Sequence, residues 1–444
     1  MDPRLRWTPE TLTGWGRVRR ARCEVFDAGT AEAARLALHT NDHYVLARGA
    51  GRSYGDVALN AGGRVIRTTR MAVIESFDRQ SGRIVVEPGV TFGQLVRSLA
   101  GEGWIPPITP GTQFATIAGA IANDVHGKNH DTDGSFCDHL LWLDLALPDG
   151  SLQRVDPVST PDLFSATVGG IGLTGVIVRA CFTMRRVPGP LLLVRELRMR
   201  SLDEYLDTFA EVRNRHRYSV GWIDALAAGR HLGRGILELA DHVDDRGPVA
   251  SRRTVRMPVD LPSGTINAFT ARLFNRLYYR RIPRSGRERK LDLQRFFYPL
   301  DSITDWNRMY GRAGFVQFQC AIPDAEARRG VRRLLEKISS SGRSSFLAVI
   351  KTLGGEGRGL LSFPLRGVTL ALDIPHAPDV PALLASLHEL TMEHGGRVYL
   401  AKDSYLTPAQ FRRMYPQAPA LQSVLGRVDP RRRMRSDMSL RLQI

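Results

Sequence analysis

The chain has 444 residues, 43% of them hydrophobic, and a formal net charge of +17, which favours a globular protein of two domains. No apolar run reaches the roughly 18 residues that a membrane-spanning helix needs, and the first seven residues predict no secretory signal. The four cysteines are too widely spaced for a disulfide framework or a cysteine-metal site, so a reducing compartment, the cytoplasm, is expected.

The first part of the chain predicts short β-strands separated by helices. Capping residues and apolar spacing predict two helices, over 30–40 and 91–101. Alternation and turn residues predict strands over 44–47, 64–68 and 83–87, and a hairpin that joins 139–147 to 152–155.

The pattern changes near Pro188-Gly189-Pro190, after which strands and amphipathic helices alternate. We expect a strand over 191–197 and, behind a serine cap, a helix over 201–212. Further helices are expected over 324–339 and 379–394. The alternation predicts a separate α/β domain.

The stretch from Ala47 to Asp56 follows an apolar run and carries three glycines. Glycine allows close backbone approach and positive φ, and successive free N–H groups form a concavity that binds anions. Arg48 and Arg52 add positive charge. The stretch therefore predicts a cradle for a diphosphate group.

Two more glycine clusters follow, over 110–130 and 168–177. The second matches the spacing of the dinucleotide fingerprint, which must follow a strand and open a helix. Here a helix-like segment over 161–167 precedes the glycines and a β-branched run follows them, so we reject a Rossmann domain. Three such loops suit a large dinucleotide held along its length; three ordinary glycine turns are the alternative.

Lysine is rare in this sequence, which has 62 lysines and arginines together but lysine at only 128, 290, 337, 351 and 402. Lysine is a compact charge whose pKa shifts readily on burial. Lys128, Lys351 and Lys402 lie in motif-like surroundings, which makes them candidates for chemistry. A simple ion pair of Lys402 with Asp403 or Asp373 is the alternative.

The segment 263–282 interleaves apolar residues with arginines, which predicts a basic amphipathic helix. Such a helix either lies on an anionic membrane surface or packs on its own domain. The net charge admits nucleic acid, a membrane or an anionic substrate as partner. Because no RNA-binding aromatic motif or helix-turn-helix stands out, a lipid phosphate ranks above nucleic acid, and no nucleic-acid partner is expected.

Four motifs together resemble one enzyme family: the loop over 47–56, His126-Gly127-Lys128-Asn129-His130, Trp306-Asn307-Arg308-Met309-Tyr310-Gly311 and Tyr399-Leu400-Ala401-Lys402-Asp403-Ser404. The family is that of decaprenylphosphoryl-β-D-ribose 2'-oxidase, one of the vanillyl-alcohol-oxidase-like FAD proteins, and the resemblance runs from about Gly14 to the C-terminus. It implies an α+β fold of the PCMH type. The FAD-binding domain would span residues 1–188, an α/β substrate (cap) domain 189–395, and a segment over 396–444 would return to the FAD-binding domain.

The resemblance also implies the residues that bind FAD. By position they are Arg48, Gly49, Gly51, Arg52, Ser53, Tyr54, Gly55, Gly111, Thr116, Ile117, Ala118, Gly119, Ile177 and Tyr399. Ala118 stands where the family usually has glycine. Related oxidases with covalent flavin carry a histidine at the position of Arg52, and arginine cannot form that bond, so we expect FAD to be held non-covalently.

For the chemistry, the resemblance implies oxidation of a secondary alcohol. Lys402 is the first candidate, either as a base or as an ammonium that stabilises the developing alkoxide. His126 and Lys128 are candidates for substrate orientation or a proton relay, although a lone histidine is more often structural. The matched substrate-pocket residues are Trp222, Gln317, Gln319 and Lys351. Gln317 and Gln319 could instead be ordinary outward positions of a strand, and no metal site is expected.

The resemblance therefore predicts an FAD-dependent oxidase that converts the C2' hydroxyl of a polyprenylphosphoryl ribose to a ketone. A partner short-chain reductase would complete the epimerisation to arabinose for cell-wall arabinan. The protein itself is expected in the cytoplasm, peripheral to the inner membrane. The pocket departs from the best-known members at five positions: Val220, Phe297, Leu353, Thr369 and Ala371. The alternatives are a flavin oxidase of a free alditol or aldonolactone, and a basic nucleic-acid-binding protein.

Overall fold

The computed structural model describes residues 5–39, 43–245, 254–262, 264–343 and 345–444. Within these described residues, the first part of the chain forms eleven strands and five α-helices. The strands are β1 (Thr8–Thr13), β2 (Arg20–Asp27), β3 (Val45–Arg48), β4 (Arg64–Arg67), β5 (Ile74–Phe77), β6 (Arg83–Val86), β7 (Trp104–Ile105), β8 (Leu140–Ala146), β9 (Leu152–Val155), β10 (Val176–Thr183) and β11 (Arg185–Arg186). The helices are α1 (Ala31–His39), α2 (Phe92–Leu99), α3 (Ile117–Ala122), α4 (His130–Asp133) and α5 (Pro161–Thr167).

The described residues of the rest of the chain form ten strands and eight α-helices. The strands are β12 (Leu191–Met199), β13 (Tyr218–Ile223), β14 (Gly235–His242), β15 (Val255–Arg256), β16 (Arg287–Asp292), β17 (Ile303–Thr304), β18 (Phe315–Pro323), β19 (Ala348–Leu353), β20 (Gly367–Pro375) and β21 (Arg397–Val398). The helices are α6 (Leu202–Val212), α7 (Ala268–Arg280), α8 (Leu293–Phe297), α9 (Ala327–Ser341), α10 (Val380–Glu393), α11 (Pro408–Met414), α12 (Ala418–Val428) and α13 (Asp437–Leu442).

The first part builds two main sheets. One has the strand order β1-β2-β4-β3, with parallel pairing on both sides of β4, and the other is an antiparallel sheet of order β5-β6-β10-β8-β9. The glycine-rich stretch over 168–177 runs from α5 into β10. This helix-then-strand order is the reverse of a Rossmann turn, so the rejection of that fold is confirmed.

The second part builds one antiparallel sheet of eight strands in the order β16-β12-β14-β13-β19-β20-β18-β21. Helices α9 and α10 pack on each other and on β18, with an apolar stripe that includes Val331 and Leu334 turned inward. The combination of separate sheets and helices confirms the α+β class. The last strand, β21, pairs with β18 and so adds residues 397–398 to this sheet.

Local capping explains several helix starts that the sequence predicts. The Thr91 hydroxyl accepts a hydrogen bond from the Gln94 N–H, and the Ser201 hydroxyl accepts one from the Glu204 N–H, which satisfies donors that a helix leaves open. The helix expected over 263–282 is shorter: it begins at Ala268, behind an Asn267 cap. Ser263, its expected start, lies outside the described residues.

The C-terminal segment lies against the first sheet. The Val45 N–H donates to the Arg433 carbonyl (2.8 Å), and the Arg435 N–H donates to the Val45 carbonyl (2.9 Å). Arg441 adds paired hydrogen bonds to the buried Asp56 carboxylate. The Tyr54 N–H donates to the Ala401 carbonyl (3.0 Å), which holds the segment around Lys402 beside the loop over 47–56. Among the described residues, no helix has the length and apolarity needed to cross a membrane.

Candidate active site

A cavity of about 770 Å³ lies between the glycine loops of the first part and strands β13, β18 and β19 of the second. Its volume is at the upper end of the range for small-molecule and cofactor sites. Most of the residues predicted to bind cofactor or substrate line its wall. They are Arg48, Gly49, Gly51, Arg52, Ser53, Tyr54, Gly111, Thr116, Ala118, Gly119, His126, Lys128, Ile177, Trp222, Gln317, Gln319, Lys351, Tyr399 and Lys402.

Two predicted residues lie behind this wall. Ile117 is fully buried in the main hydrophobic core. Gly55 is a point of close approach between the loop over 47–56 and the Lys402 segment, because a Cβ there would overlap the Asp403 carbonyl oxygen and crowd the Ser404 hydroxyl. Neither residue lines the cavity, so both support the residues of the wall and do not contact a ligand directly.

The loop after β3 has the free donors of an anion cradle. Within the described part of the chain, the backbone N–H groups of residues 49–53 donate no hydrogen bond to protein atoms. Gly51 has a φ of 63°, a conformation that side chains other than glycine rarely adopt. Unpaired N–H groups in succession favour a phosphate ligand.

The two arginines of this loop have different surroundings. The Arg48 guanidinium donates to the carbonyls of Ala58 (2.5 Å) and Thr13 (2.8 Å), which fixes the loop rather than a ligand. The Arg52 guanidinium lies between the rings of Trp15 and Phe114, 4.4 and 5.2 Å from their centroids.

Arg52 is the cation left for an anionic ligand. Its Nε is buried and lacks a hydrogen-bond partner among the described residues. Burial lowers the pKa of Arg52, and the Asp301 and Asp305 carboxylates partly oppose this. A buried guanidinium without a partner is costly, so this position fits a bound diphosphate.

The second glycine cluster packs directly against the first. A Cβ at Gly49 would overlap the Thr116 hydroxyl, which itself accepts a hydrogen bond from the Gly119 N–H and caps α3. Ala118 and Gly119 leave a flat, small-residue wall on the cavity. With the free donors of the first loop and the unpartnered Arg52, this wall fits an extended dinucleotide.

Tyr399 closes the same wall from the C-terminal side. Its hydroxyl donates to the Asn123 carbonyl (2.9 Å), and its ring stacks on Phe363 with centroids 4.7 Å apart. The His126 ring lies 5.2 Å from both of these rings. This aromatic group borders the cavity next to the lysine-bearing segment, where a flat ring system fits.

Lys128, Lys351 and Lys402, three of the five lysines in the sequence, line this cavity. Burial lowers the pKa of Lys128 to about 8, although the Glu238 carboxylate opposes this shift. Burial also lowers the pKa of Lys351 to about 8, and the positive charge of Lys128 lowers it further. Burial also lowers the pKa of Lys402, to about 7, which the Asp373 carboxylate opposes. Three amines that titrate near neutrality therefore border one cavity, an arrangement typical of functional sites.

Lys402 has no direct acid partner. Its Nζ lies 3.6 Å from the centroid of the Tyr54 ring, and none of the described side chains hydrogen-bonds to it. An ion pair with Asp403 is excluded, because the Asp403 carboxylate binds Arg441 at 2.9 Å. The Lys402 amine is therefore available to a substrate.

Asp373 supplies a negative charge behind the cavity wall. Its carboxylate accepts hydrogen bonds from the Gln317 amide (2.6 Å) and the Tyr310 hydroxyl (3.2 Å). Burial raises the pKa of Asp373 to about 7, against the lowering effect of these donors and of Lys402. Gln317 thus links a cavity-facing position to this buried acid, which rules out the interpretation of Gln317 as an outward strand position.

His126 is neutral and fixed by Gln319. Burial, with the nearby Lys351 charge, holds the pKa of His126 well below its ordinary value. Its Nε2 lies 2.9 Å from the Gln319 amide nitrogen, which in turn lies 3.3 Å from the Thr369 hydroxyl. With that amide donating to Nε2, the ring proton is on Nδ1, which is buried and lacks a protein partner among the described residues.

Lys128 is held against the second domain. Its Nζ donates to the Phe296 carbonyl and lies 3.9 Å from the centroid of the Phe296 ring. This contact joins the segment over 126–130 to α8. Lys128 therefore lines the cavity where the cavity meets α8.

Sequence reasoning missed three residues that shape the site: Trp15 and Phe114, which enclose Arg52, and Asp301. The Asp301 carboxylate accepts hydrogen bonds from the Gln113 N–H (2.6 Å) and the Thr112 hydroxyl (3.0 Å), and so fixes the second glycine segment from across the chain. No local pattern marks these residues. The motif over 306–311 is the one sequence feature that could have pointed to them, because its Asn307 side chain donates to the Trp15 carbonyl (3.0 Å).

Comparison with known proteins gives a consistent result. The family model of the FAD binding domain matches residues 28–156. Decaprenylphosphoryl-beta-D-ribose oxidase of Mycolicibacterium smegmatis is 35% identical over 98% of each chain. An uncharacterized protein in the mprA 5' region of Streptomyces coelicolor is 33% identical over 80% of this chain and 100% of its own. A putative D-arabinono-1,4-lactone oxidase of Neurospora crassa is 30% identical over 33% of this chain and 26% of its own.

Proposed function

This chain belongs to the decaprenylphosphoryl-β-D-ribose oxidase family, and from that premise we propose that it oxidises the C2' hydroxyl of a polyprenylphosphoryl ribose to a ketone. It is an FAD-dependent oxidoreductase. The alternative hypothesis of a basic nucleic-acid-binding protein is therefore rejected. The interpretation as an aldonolactone oxidase is weaker, because that similarity covers a third of the chain.

In the proposed reaction, the bound flavin supplies the acceptor for the hydride that leaves C2'. The neutral Lys402 amine takes the proton of the C2' hydroxyl and becomes an ammonium beside the new carbonyl. A pKa of about 7 leaves a large fraction of Lys402 unprotonated at neutral pH, as a general base requires. Asp373 offsets the charge that Lys402 gains.

The rest of the wall binds the substrate. Gln317, His126 and Gln319 line the cavity, and we assign their side chains to the ribose hydroxyls. Lys128 and Lys351 provide positive charge for the phosphodiester, and Lys351 has no hydrogen-bond partner among the described residues. The phosphate would therefore lie on the substrate-domain side of the sugar.

The single observation that carries this proposal is the free Lys402 amine, enclosed in a cavity next to a fitting dinucleotide site. The test is anaerobic mixing of the FAD-loaded protein with farnesylphosphoryl ribose while the flavin absorbance is recorded. We expect the flavin band to bleach within the mixing experiment. Bleaching by a free alditol or aldonolactone in place of the phosphoryl sugar would overturn the proposal.

The proposed product also implies a partner. A 2'-keto sugar becomes arabinose only by reduction from the opposite face, which an oxidase does not perform. A separate reductase of the short-chain class would supply that hydride and complete an epimerisation. Its test is the appearance of the arabinose epimer when such a reductase and its nicotinamide cofactor are added to the oxidised substrate.

We also place the protein peripherally on the inner membrane, through α7. Arg272, Arg276 and Arg280 are exposed on this helix, and within the described residues they have no ion-pair partner. Phe269 and Leu277 are exposed on it as well, at 75% and 63%. Exposed apolar side chains among unpaired arginines are typical of helices that lie on anionic bilayers.

The double variant Arg272→Glu/Arg276→Glu tests this membrane contact. Each basic residue near an anionic surface contributes about 1 kcal/mol, so we expect at least a tenfold loss of binding to vesicles with anionic lipid. Sedimentation at low and high salt measures it, and the parent should lose binding as salt screens the charges. Arg329→Glu/Arg413→Glu, the same charge change on α9 and α11, is the control. If both double variants lost vesicle binding equally, the binding would depend on net charge and not on α7.

A further inference from the structure

We infer that α7 and the neighbouring cavity wall form the binding track for the isoprenoid tail of the substrate, leading from the phosphate subsite to the protein surface. The inference rests on the proposed function and names the part of the site that recognises the lipid. It is carried by a continuous apolar surface that begins inside the cavity and ends in solvent.

The inner part of the track is aromatic. Trp222 on β13, Phe274 and Tyr278 on α7, and Phe346 before β19 all line the cavity. The Trp222 and Tyr278 rings lie 4.7 Å apart, Phe274 and Tyr278 stack at 5.5 Å, and Phe274 and Phe346 lie 5.2 Å apart. The four rings therefore form one continuous patch.

The outer part of the track lies on the same helix. Phe269, Leu273 and Leu277 are four residues apart and share one face, with 75%, 52% and 63% of their surface exposed. Phe274 is 42% exposed and belongs to both parts, since it also lines the cavity. The stripe from Tyr278 to Phe269 follows α7 for about 14 Å. Three large exposed apolar side chains on one helix mark a binding surface.

The helix has a different role on its opposite side. Ala271, Asn275 and Tyr279 are buried, and the Asn275 amide donates to the buried Asp224 carboxylate (2.8 Å). This side anchors the helix to its domain. The exposed stripe is therefore not needed to hold α7 in place, and it is available both to the bilayer and to an isoprenoid tail that enters the cavity from the bilayer.

The charges are arranged to match a prenyl phosphate. Arg281 and Arg289, which line the cavity, both pair with the fully buried Glu196 carboxylate, at 3.1 and 3.0 Å. Arg281 also lies 4.2 Å from the centroid of the Tyr278 ring. With Lys128 and Lys351, these arginines outnumber the Glu196 and Glu238 carboxylates that face them, so the inner end of the track carries a net positive charge. An anionic head there and an apolar tail along α7 correspond to the two ends of an isoprenoid phosphodiester.

The experiment compares ribose phosphodiesters that carry a methyl group or one, two or three isoprene units. Anaerobic flavin bleaching gives kcat/KM for each. In the parent protein we expect kcat/KM to rise with each isoprene unit, because each unit buries apolar surface. In Phe274→Ser and Leu273→Ser, we expect kcat/KM to fall about tenfold for the farnesyl substrate and to stay within twofold for the methyl substrate.

Leu152→Ser and Leu440→Ser are the matched controls, because these leucines are 55% and 60% exposed outside the substrate domain. They should leave the chain-length dependence unchanged. A second readout is binding of farnesyl phosphate, which has no sugar to oxidise, followed by tryptophan fluorescence; Phe274→Ser should weaken it about tenfold.

The outcomes separate the two proposals. If no phosphoryl ribose of any length bleaches the flavin, the proposed function fails. If all lengths react and the α7 variants treat them as the parent does, the tail track is wrong. If the α7 variants instead convert a dimer to a monomer without changing the chain-length dependence, the stripe is an interface between copies of this chain and the track is again wrong.

Discussion

Lys402→Ala is expected to retain bound FAD and to lose flavin reduction by the phosphoryl ribose, with a rate about 10²- to 10⁴-fold lower. The Lys402 amine lies 3.6 Å from the Tyr54 ring centroid, and no acid among the described residues hydrogen-bonds to it. Its removal therefore takes away the proton acceptor, while Asp373 keeps its hydrogen bonds from Gln317 and Tyr310. Stopped-flow absorbance under anaerobic conditions measures the rate. Lys402→Arg should fail as well, because a guanidinium does not deprotonate near neutral pH.

The pH profile makes the prediction specific. The base is the neutral amine, which forms as pH rises through its pKa of about 7. The parent's reduction rate should therefore be low below pH 6 and rise through about pH 7, and this rise should be absent in Lys402→Ala. Lys337→Ala, a change at an exposed lysine on α9, is the control and should behave as the parent. Reduction within a few-fold of the parent in Lys402→Ala would remove Lys402 from the mechanism.

Gly55→Ala is expected to give a protein that lacks flavin and unfolds at lower temperature. A Cβ at this position would overlap the Asp403 carbonyl oxygen and crowd the Ser404 hydroxyl, and the backbone cannot move aside without separating the loop over 47–56 from the Lys402 segment. Overpacking of this kind costs about 1–3 kcal/mol and sometimes more. The flavin-to-protein absorbance ratio and thermal unfolding measure the two effects.

Gly29→Ala is the matched control for this change. A Cβ at Gly29 has no neighbour within 4 Å, so the substitution should leave flavin content and unfolding temperature nearly unchanged. If Gly55→Ala instead bound FAD in full and unfolded with the parent, the close contact between the two segments would have no part in forming the site.

Both predictions depend on one arrangement, the joining of two segments that are about 350 residues apart in the chain. The loop over 47–56 offers free N–H groups for a diphosphate, and the segment over 399–404 brings an aromatic ring and an amine to its edge. Asp403 is central here, because its carboxylate binds Arg441, and Arg441 also binds Asp56. This bridge ties the C-terminal helix to both segments.

The local structure was largely predictable from the sequence. The helix over 201–212 and the hairpin of β8 and β9 follow from caps, alternation and turn residues, which act over a few positions. The order of α5 before β10 was also evident, and it excluded a Rossmann turn. The start of α7 was not predictable from the sequence. The residues over 263–267 carry only a weak helical pattern, and Asn267 is recognisable as the N-cap only when the position of the helix is known.

The candidate site was predictable in its residue types and not in its contacts. The scarcity of lysine identified Lys128, Lys351 and Lys402, and the glycine loops identified the cofactor cradle. The sequence left the partner of Lys402 open between Asp403 and Asp373. The structure assigns Asp403 to Arg441, a choice that depends on how the C-terminal helix packs. Trp15 and Asp301 contact loops that are far away in the chain, so the residues next to them in the sequence give no sign of these contacts.

The amino-acid sequence by itself determined the composition of the site: three glycine loops, two arginines in the first of them and a few lysines where arginine is otherwise used. Only the tertiary structure decided which of these groups is free, because a charge is available to a ligand when folding gives it no other partner. Folding pairs Arg48 with carbonyl groups, whereas Arg52 and Lys402 have no hydrogen-bond partner in the described part of the chain. Capping and periodicity operate within a few residues, whereas that distinction depends on contacts between segments hundreds of residues apart.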